Sequence, residues 1–491
     1  MPAGARGIDR VVACGALGVV VGTVAWLVAR SMTWPLVHDA PLMHYIARRI
    51  GEGAVPYRDL FDMNFPGVYL LHLLVVSTLG AGDLAWRLFD LTWLALWALG
   101  AAAFAAPWGR TAALTAVALL ALYHLGGGAW QAGQRDFLLG PFLVFGSLGV
   151  ARWMESRRRG ALTWGGLAMG ASLTIKPHTV VLAAALALAI VVTASRAGDS
   201  PATALGGFAT GAAVAPAVVI GWLAVAGALP AWQAIVVDYL IPLYSRLGGT
   251  EDWSVYRPYV WVPLGTGALL SAAGAQAAGR FGARRAVAAL GVLYGVVHFV
   301  AQGKGWEYHL YPLATFTVLI LVAGLPAALR DRRRPAAALV LVSVVLALAL
   351  LADKARAVAP AGWERDKAAR ARRLAADLAP MLAPGGTVQV FDTTAGGVHA
   401  LLRLGARQPT RFLYDFHFFH DPDHPTIRAL RTELLRDLDT RPPALIVVFE
   451  DGWPAGGYER FDAFPALAER LARYDVVRTG PGYRIHAQRH R

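Results

Sequence analysis

The sequence predicts an α-helical polytopic membrane protein with a soluble α/β domain at its C-terminal end, and three observations carry that prediction. Hydrophobic residues fill 56% and charged residues only 16% of the 491 positions, whereas a soluble chain carries about 25% charged residues. The deficit is uneven, because from Val11 to Ala352 apolar runs alternate with short arginine-bearing loops. Beyond Asp353 charges return every few residues, so the chain divides into a membrane part, 1–352, and a tail, 353–491.

Crossing a bilayer takes about 17–25 apolar residues. Runs at 11–30, 87–105, 110–124, 136–152, 161–175, 178–194, 203–227, 258–277, 285–301, 308–328 and 335–352 approach that length, which predicts about eleven spans. The first follows Arg6 and Arg10, lacks a small-residue cleavage site, and reads as an uncleaved anchor. It holds the single cysteine, Cys14, so the tail must be held by packing without a disulfide. The stretch Pro66–Leu79 is too short to span and reads as a re-entrant or interfacial helix.

The net charge of +14 would suggest nucleic acid if it formed a stripe on a soluble domain. It sits instead in brief loops such as Arg157-Arg158-Arg159 and Arg330-Asp331-Arg332-Arg333-Arg334. Cationic loops resist translocation and stay cytoplasmic. With Pro66–Leu79 not spanning, the arginine loops all fall on that side. The N-terminus is then cytoplasmic in the cell (inner) membrane, and loops 31–86, 124–136, 228–257 and 302–307 face outward with the tail. Loop 31–86 opens with an amphipathic helix over Ala40–Gly51.

In the tail, helices are predicted over Trp363–Met381, Gly397–Leu404 and Pro425–Leu438, with strands over Thr387–Phe391 and Ala444–Phe449. No internal repeat, Walker loop or Gly-x-Gly-x-x-Gly after a strand is present. The run from His417 to His424 has the residue types of a metal site but lacks the paired ligands that would complete one. Asp421-Pro422-Asp423 and Asp437-Leu438-Asp439 mimic a metal-nucleotide carboxylate pair, the latter at the end of a surface helix. The sequence demands no cofactor and leaves room for a divalent cation.

Ionisable groups near a membrane are costly unless they find a partner or a task, and here they gather on the outward side. They are His38-Asp39, Tyr45, Arg58, Asp59, Asp62, Arg135-Asp136, Lys176-Pro177-His178, Arg246, and Lys304 to His309.

Asp39 just beyond the first span, then Tyr45, Ala47 and GEGAVPYRDLFDMNFPG at 51–67, resemble the first outer loop of GT-C glycosyltransferases. The nearest types are the protein O-mannosyltransferases and lipid A aminoarabinose transferases. Arg135-Asp136, Lys176-Pro177 and GWEYHLYPL at 305–313 also resemble that superfamily, and the likeness covers residues 10–330. Many relatives carry a double proline where this chain has Phe65-Pro66-Gly67. The resemblance implies a hexosyl- or pentosyltransferase that moves a sugar from a polyprenyl-phosphate donor to a hydroxyl on the extracytoplasmic face. The acceptor would be an envelope glycan, lipid or protein, with membrane lipids around the enzyme and no nucleic acid.

Such a reaction needs a base for the acceptor proton and cations for the leaving phosphate. Asp39 is the candidate base. Asp62, Tyr45, Arg58, Arg135, Asp136, Lys176, Arg246, Lys304 and His309 are the candidate substrate-binding residues. Each has a plainer reading. Asp39 and Asp136 suit helix caps, Asp59 and Asp62 suit turns, and Lys176 suits snorkelling. Trp306 and Tyr308 make the 304–309 loop a candidate interfacial anchor. A secondary transporter or lipid flippase is the alternative function, weakened by few charges inside the spans and the lack of a repeat. A scaffold acting through its tail is a third.

Overall fold

The computed structural model describes residues 3–248, 258–358, 362–453 and 456–489. The side chains of Arg6, Arg10 and Cys14, and the end of the outward loop at 249–257, lie outside the described residues.

In chain order the helices of the first half are α1 (Ala3–Ser31), α2 (Ala40–Gly51), α3 (Pro66–Thr78), α4 (Asp83–Ala105), α5 (Arg110–Leu125), α6 (Gly128–Ala132), α7 (Arg135–Ser156), α8 (Arg159–Ile175) and α9 (Val180–Ala197). Then come α10 (Pro201–Val225), α11 (Leu229–Ala234), α12 (Pro258–Ala277), α13 (Ala283–Gln302), α14 (Tyr311–Arg330) and α15 (Pro335–Val358). The tail holds α16 (Gly362–Leu378), β1 (Val388–Phe391), α17 (Gly397–Leu404), α18 (Pro425–Thr440), β2 (Leu445–Phe449), α19 (Pro465–Leu471), β3 (Tyr474–Gly480) and β4 (Tyr483–Gln488).

This is a multi-pass membrane protein. Among the described residues seven helices are long and apolar enough to cross a bilayer, and Gly18–Ser31, Pro66–Thr78 and Arg110–Leu125 are shorter apolar helices. Every interval predicted as a span is helical, with 161–175 and 258–277 present as α8 and α12. At 13 residues, α3 is only about 20 Å long against a hydrocarbon core of about 30 Å.

The chain forms two compact units that gather segments distant in sequence. The first comprises Met1–Trp34, Arg87–Ala217 and Glu251–Ala361; the second comprises Pro35–Trp86, Val218–Thr250 and Gly362–Arg491.

In the first unit, helices approach closely where side chains vanish. A Cβ on Gly149 would lie 2.6 Å from the Ala161 carbonyl. One on Gly166, Gly170 or Gly211 would strike the backbone of the facing α8 or α10 helix. Small residues at such crossings replace the hydrophobic drive that a membrane does not supply. Val181, Leu188 and Val214 stay exposed, as lipid-facing side chains do.

In the second unit, β1, β2, β4 and β3 form one sheet in that order. β1 and β2 run parallel, with Val388 opposite Leu445, and the rest is antiparallel. All nine residues of β1 and β2 are buried, as expected of strands covered on both faces. The 31–86 loop packs into this unit. The Phe61 N–H donates to the Arg411 carbonyl at 2.7 Å, and the Arg411 guanidinium covers Phe61 and pairs with Glu433. Arg48 donates to the Leu402 carbonyl and Arg407 pairs with Glu52.

Candidate functional site

The first unit brings together one part of the predicted residue set. Asp136, in the first turn of α7, is fully buried. Its carboxylate pairs with Lys176 Nζ at 2.7 Å and lies 2.6 Å from His298 Nε2. Lys176 follows α8 and also donates to Gln302 Oε1 at 3.1 Å. His298 and Gln302, one turn apart on α13, share a face, and their side-chain nitrogens are 2.9 Å apart. The capping reading of Asp136 is corrected: Gln134 occupies the cap position and the Asp136 carboxylate is spent on side chains. Snorkelling is corrected too, because Lys176 is buried and ion-paired.

Arg135, Lys304 and His309 belong to the same electrostatic cluster. Lys304 is buried, with its ammonium 5.2 Å from the Trp306 ring centre. Burial pushes its pKa down to about 7, and the neighbouring Arg135 and Lys176 add to the shift. Lys176 falls only to about 8, because the Asp136 carboxylate offsets part of its burial. His309 is buried against Tyr308 and Trp306, and its Nδ1 has no hydrogen-bond partner among the described residues. Arginine and lysine side chains gathered near a buried carboxylate in a dry setting have the donor chemistry that suits an anion with several oxygens such as a phosphate.

Behind Asp136 on α7, Phe137 stacks on His124, whose Nδ1 is 2.7 Å from the Tyr311 hydroxyl. His124 Nε2 lies 3.1 Å from Asp90, which also pairs with Arg87. This buried chain of charges escaped sequence analysis, although Arg87 and Asp90 open an apolar run. His298 and Gln302 escaped too; their spacing at the C-terminal end of α13 was the available signal.

The second unit holds the remaining candidates. Asp39 sits at the N-cap of α2, yet its side chain makes no capping bond, so capping does not account for the carboxylate. It is partly buried, 4.0 Å from His38 Nε2. His38 has φ +62, a conformation that costs a non-glycine residue roughly 1–3 kcal/mol and clusters at functional sites. Its Nδ1 is 3.2 Å from Lys367 Nζ on α16, which is also 3.4 Å from the Thr394 hydroxyl. Burial lowers the Lys367 pKa, opposed by Asp392 and Asp39. Sequence reasoning missed Lys367, whose contact with His38 spans 329 positions. Beside it, His38, Asp392 and His399 line a cavity of about 20 Å³, room for one water rather than a sugar.

Asp62 is buried and ties its own loop. One oxygen accepts from Asn64 N and Nδ2, each at 2.7 Å, and from the Tyr69 hydroxyl at 2.5 Å. The Tyr45 hydroxyl accepts from Gln408 N at 3.3 Å, and burial raises its pKa to about 12. Arg58 is exposed and paired with Asp59, and Arg246 is exposed on a short turn at Tyr244–Arg246. These four do not cluster with Asp39 around one cavity.

The histidine-rich run serves packing. His417 and His420 both approach the Tyr239 hydroxyl, at 2.6 and 2.9 Å, and His424 Nδ1 accepts from Thr426 N. Asp437 pairs with Arg441, and Asp439 with Arg470 and Arg473. Among the described residues no group of three His, Cys, Asp or Glu is placed to hold a metal.

The helical membrane unit and the small α/β sheet have the GT-C-like polytopic architecture expected from the sequence. Among solved structures, this chain is similar to ArnT from Cupriavidus metallidurans in the apo state. The likeness has a TM-score of 0.58 and 15% identity, over 97% of this chain and 98% of that one. The same protein bound to undecaprenyl phosphate gives a TM-score of 0.56 at 15% identity, over 96% and 98%. At that identity the likeness is one of fold. No protein-family model matches the chain, and no curated protein matches it by sequence.

Proposed function

We propose that this protein is a membrane glycosyltransferase that takes a sugar from a polyprenyl-phosphate donor and passes it to an acceptor hydroxyl outside the cytoplasm. The gathering of Arg135, Lys176, Lys304 and His309 near the buried Asp136 carries this reading. The GT-C fold, shared with a protein crystallised with undecaprenyl phosphate, supports it.

In the proposed reaction the acceptor oxygen forms its bond to the anomeric carbon as the bond from that carbon to the lipid phosphate breaks. The acceptor proton passes to a carboxylate base, for which the sequence offers Asp39, and the bonding pair leaves with the phosphate. Arg135, Lys176, Lys304 and His309 stabilise the charge that gathers there. Asp136 acts as a positioning residue, holding Lys176 and His298 in place. Asp62 and Tyr45 shape the loop that carries Asp39, and Arg58 and Arg246 are left for the exposed parts of the substrates. Membership of the inner membrane, an extracytoplasmic tail, and a hexose or pentose as the sugar belong to the same proposal.

The test is sugar transfer in proteoliposomes with a labelled polyprenyl-phosphate sugar. Asp39→Asn should lose at least about a hundredfold in kcat, within the range general bases supply, while its melting temperature holds. Normal turnover by that variant would remove Asp39 as the base. Solute flux without a covalent product would instead favour the transporter.

A further inference from the structure

The first unit contains a second basic constellation, away from the residues assigned above and on the side of the arginine loops. The ends of α12, α13, α14 and α15 enclose a cavity of about 480 Å³. Its floor is alanine, glycine and leucine, while Arg280, Arg285, Arg330 and Arg334 stand at its rim with Asp331 as the one acidic lining residue. Asp331 is already paired with Arg334 at 2.5 Å.

Arg285 is fixed in the wall. It donates to the Arg280 carbonyl at 2.9 Å and to the Ala323 carbonyl at 2.7 Å, and it lies 5.5 Å from the Trp108 ring centre. Its Nε is buried with no hydrogen-bond partner among the described residues. Four guanidiniums against one carboxylate repel one another unless an anion joins them. Arg280, Arg330 and Arg334 reach water from the rim while Arg285 is held in the wall, so the four ring a hollow with an apolar floor. A free anion would leave the floor wet, whereas a lipid would satisfy both surfaces.

We propose that this cavity binds an anionic phospholipid of the cytoplasmic leaflet, its phosphate held by the arginine rim and the start of its acyl chains on the apolar floor. The inference does not rest on the proposed transfer reaction.

Native mass spectrometry of the full chain tests it, using micelles with equal phosphatidylglycerol and phosphatidylcholine. Wild type should retain phosphatidylglycerol selectively. Arg280→Gln/Arg334→Gln, at exposed positions, should retain it about thirtyfold less, as loss of two headgroup cations predicts. Ala327→Trp, which fills the cavity and keeps every charge, should lose it as well, so that the result does not depend on the folding of one variant. Arg157→Gln/Arg158→Gln/Arg159→Gln, basic but outside the cavity, should behave as wild type. Equal retention of both lipids, or equal loss in the Arg157–Arg159 variant, would overturn the proposal. Displacement by millimolar inorganic phosphate would also overturn it, assigning the rim to a free anion.

Discussion

Burial pushes the pKa of Lys304 down to about 7, with Arg135 and Lys176 adding to the shift, and that of Lys176 to about 8, where Asp136 offsets part of it. A lysine is cationic below its pKa, so the proposed phosphate site is fully charged below about 7 and loses charge as pH rises through 7 and then 8. Binding of a radiolabelled polyprenyl phosphate should therefore weaken between pH 6 and 9, by about tenfold for each charge-assisted hydrogen bond lost. Lys304→Arg keeps its charge across that range and should flatten the first step; an unchanged profile would detach Lys304 from the phosphate. Asp136→Ala strands Lys176 and His298 without their carboxylate, and removing one partner of a buried pair costs about 3–5 kcal/mol. A clear fall in melting temperature is expected. Lys367→Met should lower kcat about tenfold with little change in donor KM, as expected of a group that tunes a base, and Lys367→Arg should restore it. If KM and kcat move together with stability, Lys367 only holds the loop.

At the scale of elements, the crossing of α8 and α10 is the sharpest constraint. Gly166→Ala would drive a methyl into the Phe208 carbonyl, and overpacking of this kind costs about 1–3 kcal/mol. Gly206→Ala, on the same α10 but facing open space, should be neutral or slightly stabilising; equal effects in a thermal melt would refute the distinction. Most elements were legible because membrane helices and doubly covered strands announce themselves as apolar runs. Ala40–Gly51 and Gly397–Leu404 were predicted to the residue. β3 and β4 were not, since five successive residues of β3 are exposed and polar residues interrupt its apolar ones. The candidate site was legible as ionisable residue types in the loops between apolar runs, and Arg135, Asp136, Lys176, Lys304 and His309 do share one electrostatic cluster. His298, which meets Asp136 across 162 positions, and Lys367, which meets His38 across 329, were not, because neither spacing nor composition reports such contacts.

For the whole molecule, the sharing of one compact unit by the 35–86 loop and the tail has a topological meaning. Two segments with a common core lie on one side of a membrane, so an even number of crossings separates them. In a Cys14→Ser background, a membrane-impermeant maleimide should label Glu52→Cys and Arg436→Cys from the same side. Arg158→Cys, in an arginine loop, should be labelled only from the other side. Opposite labelling of the first two would break the shared unit.

The contact between Phe61 and Arg411 also sets a clock. The loop is finished when Trp86 leaves the ribosome; Val218–Thr250 of the same unit follows, but the tail part of its core begins only at Gly362. At about 5–20 residues per second, the loop waits roughly a quarter of a minute to a minute for that part. During that interval Phe61, Tyr57 and the apolar face of α2 have no tail to cover them, which makes the half-synthesised chain a substrate for chaperones and proteases of the envelope. A nonsense mutation anywhere between the two would leave this exposure permanent, so truncated chains should be cleared even when every helix before the stop has been inserted.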